Sequence, residues 1–572
     1  MTMSRKLFLR TCGALLVAGR LGAGAVEPPK EDGLGDAAVW SRIDAFVRSQ
    51  LEAEKIPSIA LAVVERSGRS REGYWGVSDL RTGAAVGPAT LFQIGSLSKA
   101  FAGVLLLRLS EAGSVDLDAP VTKYLKWFEA PGGSRPPTLH QLLTHTAGLP
   151  ADRGDIPSPT AQAWAVRERR PPARHGAAFH YSNIGYQILG LVAEQAGHRS
   201  FSEMLAREIF SPLGMSTTKG SITFGGKAGA ATGYVPLLDD RPPHPDDPLL
   251  EAAWIEYSGA DGCILSTAPD MAKWMRMILA RGAGPSERLL SEESFERLVH
   301  PWVRVSPFEP TAYGYGFFVR QVDGRTALRH TGGMLGFTSA LAADLGRGLG
   351  VVVLTNVARA DSRPTEVAEF VLRTLVAARQ GEALPEVPPV DRTRVPAARE
   401  YAGTFVAPTG DRLVLTAQDD RLFLLRGGAR FPLEPHGEDR FWVGHPDFRL
   451  HLLRFGRQNG RVVEASYGPS WYATDAYDGP RTFNVPREAA PFRGHYRATN
   501  PWANNFRVYF RKGRLLMETL DGAELVLAPV EPGLYRLGEE RTPEYVGFDE
   551  IVDGWAQRAN LSGVEYYRVF TP

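Results

Sequence analysis

Two strand-like runs near the start of the chain, residues 58–65 and 72–78, have nothing close by in sequence to complete a sheet. A lone two-stranded hairpin is marginal at best in water, so these strands need partners from elsewhere. Strand patterns return only at residues 314–321, 326–330, 337–343 and 350–356, joined by turns at Asp323-Gly324 and Gly346-Arg347-Gly348. The intervening chain carries helical patterns at 139–144, 160–169, 183–196, 201–209, 269–280 and 292–300, and helices at 36–53 and 365–378 bracket the whole. This order predicts an α/β fold of the α+β type. An antiparallel sheet of early and late strands is flanked by the terminal helices, the middle forms a helical subdomain, and a crevice separates the two.

Just after the early strands, Ser96 opens a predicted helix running to Glu111, and Lys99 follows it by about one turn, on the same face. A serine hydroxyl becomes a useful nucleophile when a neighbour takes its proton, and a lysine does this only when neutral, a state that burial favours. Ala100, Phe101 and Val104 supply apolar surroundings, while the helix N-terminus favours negative charge developing beside Ser96. Ser-x-x-Lys is short enough to arise by chance roughly once or twice in a chain of this length. Ser216 and Lys219 form such a decoy, leading into Gly220 rather than an amphipathic helix.

Two later stretches add chemistry. Tyr181-Ser182-Asn183 precedes a predicted helix; a phenol beside a lysine can hold or pass a proton, and an amide two residues on can orient both a substrate carbonyl and the lysine. His330-Thr331-Gly332-Gly333 puts a titratable group and a hydroxyl at a strand end, followed by glycines that admit a ligand close to the backbone. Taken singly, each stretch also reads as ordinary packing: a tyrosine under a helix N-terminus, a satisfied histidine at a strand exit.

Together, Ser96-x-x-Lys99, Tyr181-x-Asn183 and His330-Thr331-Gly332 resemble, in order and element type, the three motifs of the serine β-lactamase and penicillin-binding protein superfamily. Tyr-x-Asn in second place is similar to the branch of class C β-lactamases, D-aminopeptidases and family VIII carboxylesterases. The resemblance takes in Leu142 to Pro150, Pro212 to Met215, Ser266 to Asp270 and Tyr313 to Gly316, and covers about residues 38–380. It implies that Ser96 forms an acyl-enzyme, Lys99 and Tyr181 share the acid/base work, and Asn183, His330, Thr331 and Gly332 bind substrate. It further implies that the backbone N–H groups of Ser96 and Gly333 form the oxyanion hole. His145 matches no catalytic role and reads as structural.

The departure from the pattern is His330, where β-lactamases and transpeptidases usually carry lysine. A permanent cation for a substrate carboxylate is replaced by a group mostly neutral at pH 7. The expected reaction is hydrolysis of an ester or amide in a small molecule or peptide, carboxylesterase-like or D-aminopeptidase-like. The alternatives are a D-amino-acid carboxypeptidase or β-lactamase acting on peptidoglycan fragments or β-lactams, and an acyl-binding sensor that does not turn over. No Gly-x-Ser-x-Gly elbow points to an ordinary α/β-hydrolase.

Charge excludes other partners, since 65 Lys and Arg against 64 Asp and Glu produce no net field to recruit nucleic acid. No cofactor is called for. Asp239, Asp240, His244, Asp246 and Asp247 could suggest a metal, but the prolines from Pro236 to Pro248 make a solvated loop the better reading. Residues 1–25 carry Arg5, Lys6 and Arg10, then an apolar run and Ala23-Gly24-Ala25, the layout of a signal peptide for a periplasmic or secreted protein. Ser4-Arg5-Lys6 resembles a twin-arginine signal with lysine in second place, and the Sec route stays open. No later segment reaches the roughly 20 apolar residues of a membrane span. Of two cysteines, Cys12 lies in the signal and Cys263 reads as a small buried apolar residue.

After the serine hydrolase domain at 36–380, residues 381–398 hold four prolines and read as a linker. Beyond it the chain shows short alternating strands and an apparent repeat: Tyr401-Ala402-Gly403 returns as Phe492-Arg493-Gly494, Arg421-Leu422 as Arg514-Leu515, and Leu433 as Leu527. Two β-modules follow, at 399–478 and 491–572, each a small barrel or half-barrel. They resemble the lipocalin-like domains attached to some D-aminopeptidases, with gating of the cleft, binding of cell-wall fragments or plain stabilisation as their expected roles.

Overall fold

The computed structural model describes residues 33–151, 156, 158–170, 176, 178–359, 363–538 and 542–570. The expected signal peptide and Cys12 lie outside them. Among the described residues, no helix is long and apolar enough to cross a membrane. The chain divides into two compact units: one holds the segments up to Pro236 and from Leu249 to Pro389, the other Leu237–Pro248 and everything from Val390.

In the first unit the early strands find their partners late. Ser58–Glu65 is buried along its whole length and lies between Ser70–Asp79 on one side and Leu349–Thr355 on the other. The nine-stranded antiparallel sheet continues from Leu349–Thr355 through Phe337–Asp344, Arg325–Met334 and Phe318–Val322 to two short edge strands. Ile59 faces Thr355 and Val63 faces Val351, so a pairing across nearly 300 residues is set in register by the buried side chains of both strands together with the ladder. The Asp323-Gly324 turn has both residues at positive φ, as a two-residue hairpin requires.

Both faces of the central strands are covered. On one, the terminal helices Ala37–Ala53 and Pro364–Gln380 pack together through Phe46 and Phe370, stacked 3.9 Å apart, over Val63, Val351 and Val353. Asp36 caps the first of these by accepting the Ala38 N–H. On the other lies Ala268–Leu279, capped by Thr267, whose Trp274 stacks 3.7 Å from Phe101 of the helix Ser98–Glu111. The helical subdomain follows the predicted pattern except at residues 201–213, where a π-turn at Ala206–Phe210 interrupts the helix.

The second unit contains two closed, eight-stranded antiparallel barrels, Gly403 to Ala473 and Gly494 to Val569, each filled by its own apolar core. Their first strands start 91 residues apart (494 − 403), so the sequence repeat is a repeat of barrels. The end of the expected linker belongs to the first barrel: Val395 and Ala398 are buried in its core. A polar cluster joins the barrels. Glu524 accepts from Tyr509 at 2.8 Å and pairs with Arg454 at 2.9 Å and with Arg511, while Glu518 meets His451.

The reading of residues 236–248 as a solvated loop needs correction. Asp239 accepts from Asn504 at 2.6 Å and pairs with Arg497, Asp240 pairs with Arg241 at 2.7 Å, and His244 lies 3.2 Å from Glu434. The carboxylate of Asp239 is taken up by barrel side chains, while Asp240 and Asp247 find partners within the segment, in Arg241 and the His244 N–H.

Burial of Phe101 against Trp274 yields a direct test. Phe101→Ala should destabilise the first unit by about 3–5 kcal/mol, the usual cost of emptying a buried aromatic site, read as a lowered urea midpoint.

Candidate active site

Ser96 sits in a tight 3-10 turn, Gly95–Leu97, and the α-helix begins at Ser98, two residues later than the sequence suggests. The turn still leaves Lys99 one step behind the serine. The Lys99 Nζ is fully buried and lies 3.0 Å from Ser96 Oγ, 2.7 Å from Asn183 Oδ1 and 2.9 Å from the carbonyl oxygen of Asp261. Among the described residues no carboxylate pairs with it. Asn183 Oδ1 and the Asp261 carbonyl can only accept. When the amine is neutral its two N–H bonds are therefore claimed by those oxygens, and its lone pair is left for the Ser96 hydroxyl.

The decoy pair does not form such a site. Ser216 and Lys219 lie on extended chain, and Lys219 bridges to Leu265 through its backbone.

Tyr181 and Asn183 are set by the residue between them. Ser182 caps the helix Asn183–Gly197: its hydroxyl accepts the Gly185 N–H at 3.2 Å and donates to the Pro150 carbonyl at 2.6 Å. Asn183, first in the helix, donates its N–H to the Ala151 carbonyl. The Tyr181 ring lies beside the lysine, with Nζ 4.9 Å from its centroid. Because Asn183 Oδ1 is committed to Lys99, any contact with a substrate carbonyl falls to its Nδ2.

The strand Arg325–Met334 runs against the serine turn. A β-carbon at Gly332 would stand 2.0 Å from the Ile94 carbonyl oxygen and 2.4 Å from Ser339 Oγ, and one at Gly95 would stand 2.6 Å from the Gly333 nitrogen. These contacts bring the Gly333 amide to the turn that carries Ser96. Gly332 itself packs against the Ile94 carbonyl and Ser339, where only a residue without a β-carbon fits. Thr331, alternating with buried His330 and Gly332, is the more exposed side chain of the three.

His330 departs from the expectation of a substrate-binding imidazole. It is buried, its Nδ1–H donates to the Thr331 carbonyl at 2.7 Å, and its Nε2 accepts from the Tyr313 hydroxyl at 3.1 Å. Both nitrogens are engaged inside the protein, with the rings of Phe318 at 5.2 Å and Tyr181 at 6.1 Å. Burial, and secondarily the charge of Lys99, push its pKa down from 6.5 to about 3, against the favourable bond to Thr331. It forms a neutral wall behind Tyr181.

Two participants were not legible as such in the sequence. One is the Asp261 carbonyl, whose residue is held by Tyr257 donating to Oδ1 at 2.7 Å; its only signal was the flanking glycines at 259 and 262. The other is Tyr313, inside a stretch that carried resemblance but no assigned role. Cys263 is buried with its thiol pKa pushed up by burial, and it donates to the Gly220 carbonyl, consistent with an inert packing residue. Among the described residues, no group of three or more His, Cys, Asp or Glu is placed to hold a metal ion.

Comparison with known proteins matches residues 43–375 to the Beta-lactamase family model. Penicillin-binding protein 4 of Amycolatopsis lactamdurans is 30% identical over 387 residues, which make up 65% of this chain and 97% of that protein. Protein flp of Staphylococcus aureus (strain NCTC 8325 / PS 47) is 24% identical over 327 residues, 55% of this chain and 63% of that protein. The octameric penicillin-binding protein homologue from Pyrococcus abyssi superposes with a TM-score of 0.56 at 23% identity, over 76% of this chain and all of that one, a likeness of fold.

Two measurements follow from this geometry. Gly332→Ala should force the strand from the serine turn and lower kcat by about 10²-fold, as a displacement near 1 Å can. Below pH 6.5 the unfolded chain takes up a proton at residue 330 that the folded protein refuses until about pH 3. Stability is therefore full above pH 6.5 and falls as the pH drops toward 3, by up to about 1.4 kcal/mol per pH unit for this group. Urea unfolding from pH 7 to 4 should show a shallower decline for His330→Gln than for wild type.

Proposed function

The chain belongs to the β-lactamase family of the serine β-lactamase and penicillin-binding protein superfamily, whose members are serine hydrolases, and from that premise we propose that it hydrolyses uncharged ester or amide bonds through an acyl-enzyme on Ser96. The observation that carries the reading is the three-way hold on Lys99, which leaves the lone pair to the nucleophile whenever the amine has given up its extra proton. Lys99 accepts the Ser96 proton as Oγ attacks the substrate carbonyl carbon. The oxyanion that forms is received by the N–H groups of Ser96 and Gly333. Tyr181, with Lys99, returns the proton to the departing alcohol or amine, and water then releases the acid.

The substrate class rests on His330. A neutral imidazole with both nitrogens bonded internally supplies no charge-assisted contact, worth roughly 1.5–3 kcal/mol, for a substrate carboxylate. Small esters and amides, including those of D-amino acids, suit such a pocket better than penicillins. The basic and apolar residues at the chain's start support a reading in which the protein is exported, periplasmic or secreted, within reach of cell-wall fragments.

A fluorophosphonate probe should label Ser96 in the wild-type protein and not in Ser96→Ala, and Lys99→Met should slow acylation by orders of magnitude. Of a p-nitrophenyl ester, a D-alanine amide and nitrocefin compared by kcat/KM, the ester or the amide should lead. Strong preference for nitrocefin would move the assignment to β-lactamase, and a labelled serine without turnover would make the protein an acyl-binding sensor.

A further inference from the structure

His145 takes no part in the chemistry above, yet its placement is costly in two ways. It is a non-glycine residue at φ +58°, in the left-handed region, and it is buried with no hydrogen-bond partner for its Nε2 among the described residues. Its Nδ1 accepts the backbone N–H of Ser182 at 3.0 Å, which fixes the proton on Nε2, where no described residue accepts it. Burial, with the nearby charge of Lys99, holds the imidazole well below its usual pKa, so it stays a neutral acceptor. Strain and an unspent buried donor at one residue point toward function rather than toward packing.

What the residue touches identifies that function. Its carbonyl accepts the His180 N–H at 2.8 Å, so the backbone of His145 holds the residue before Tyr181 and its side chain holds the residue after. Its ring lies 4.3 Å from Tyr181, 5.0 Å from Tyr186 and 4.7 Å from Tyr313, the last being the tyrosine that locks His330. We infer that His145 is the positioning residue of the site, setting the Tyr181 phenol and the Asn183 amide against Lys99 through the Ser182 N–H. This rests on the acyl-serine reading above and adds to it a residue that touches neither substrate nor nucleophile.

Asparagine tolerates the left-handed region and offers an acceptor oxygen close to the place of Nδ1, whereas glycine keeps the backbone and leucine keeps bulk without an acceptor. His145→Asn should therefore retain kcat within about threefold of wild type on a p-nitrophenyl ester. His145→Gly and His145→Leu, checked for folding by near-UV circular dichroism, should lose about 10²-fold in kcat with KM changed little, because alignment and not binding is disturbed. Folded glycine and leucine variants as active as wild type would overturn the inference alone. Both failing to fold while the asparagine variant folds would make His145 a framework residue and overturn it equally. Wild-type protein whose Ser96 takes no fluorophosphonate would overturn the acyl-serine reading, and this inference with it.

Discussion

The site depends on one buried amine with three oxygen partners. Lys99 Nζ joins the helix that follows the early strands, through Ser96; the helical subdomain, through Asn183; and the loop before the strand Leu265–Ser266, through the Asp261 carbonyl. These segments lie 84 and 162 positions from the lysine in sequence, and nothing local brings them together. A cation or amine enclosed in a low-dielectric interior is tolerated only when each of its polar valences is met. The sheet, the capped helix at Asn183 and the glycine-flanked loop at Asp261 are the means by which the fold meets them.

The same economy explains the ring of aromatic groups around the amine. Tyr181, Tyr186, Tyr313 and Phe179 pack on His145 within 4.3 to 5.6 Å, excluding water from one side of the site without adding a charge. His330 completes the wall in its neutral form. Lys99, His145 and His330 are buried there, and the polar contacts of the lysine are directional, the condition under which a hydrogen-bonded lone pair can act as a base.

Much of this was legible in the sequence, and the boundary of legibility has a physical cause. Long periodic segments such as 37–53, 58–65 and 183–197 declared themselves because apolar spacing and a capping Asp or Ser act locally. The Ser-Lys and Tyr-Asn pairs were visible because side-chain chemistry is written in residue type. Backbone participants were not, since any residue has a carbonyl and Asp261 contributes its carbonyl rather than its carboxylate. His330 misled for a related reason: an imidazole's type is plain in sequence, but whether its two nitrogens face a ligand or Tyr313 and Thr331 is decided by neighbours that only folding brings close. The acidic stretch 237–248 was misread likewise, because its arginine and asparagine partners lie on barrel strands more than 200 residues on.

The polar cluster between the barrels bears on how such a duplicated module persists. Two copies of a barrel could in principle be lost or gained one at a time. Here Arg454 of the first copy is matched to Glu524 of the second, and His451 to Glu518, in surroundings from which water is largely excluded. A chain stripped of its second barrel would lose the carboxylate partners of Arg454 and His451 and open to water a face that the second copy now covers. Each barrel keeps its own apolar core, so the divided charges tie the two copies to one another without completing either, and a change at one side of the seam is felt by a partner about 70 residues away in the other copy.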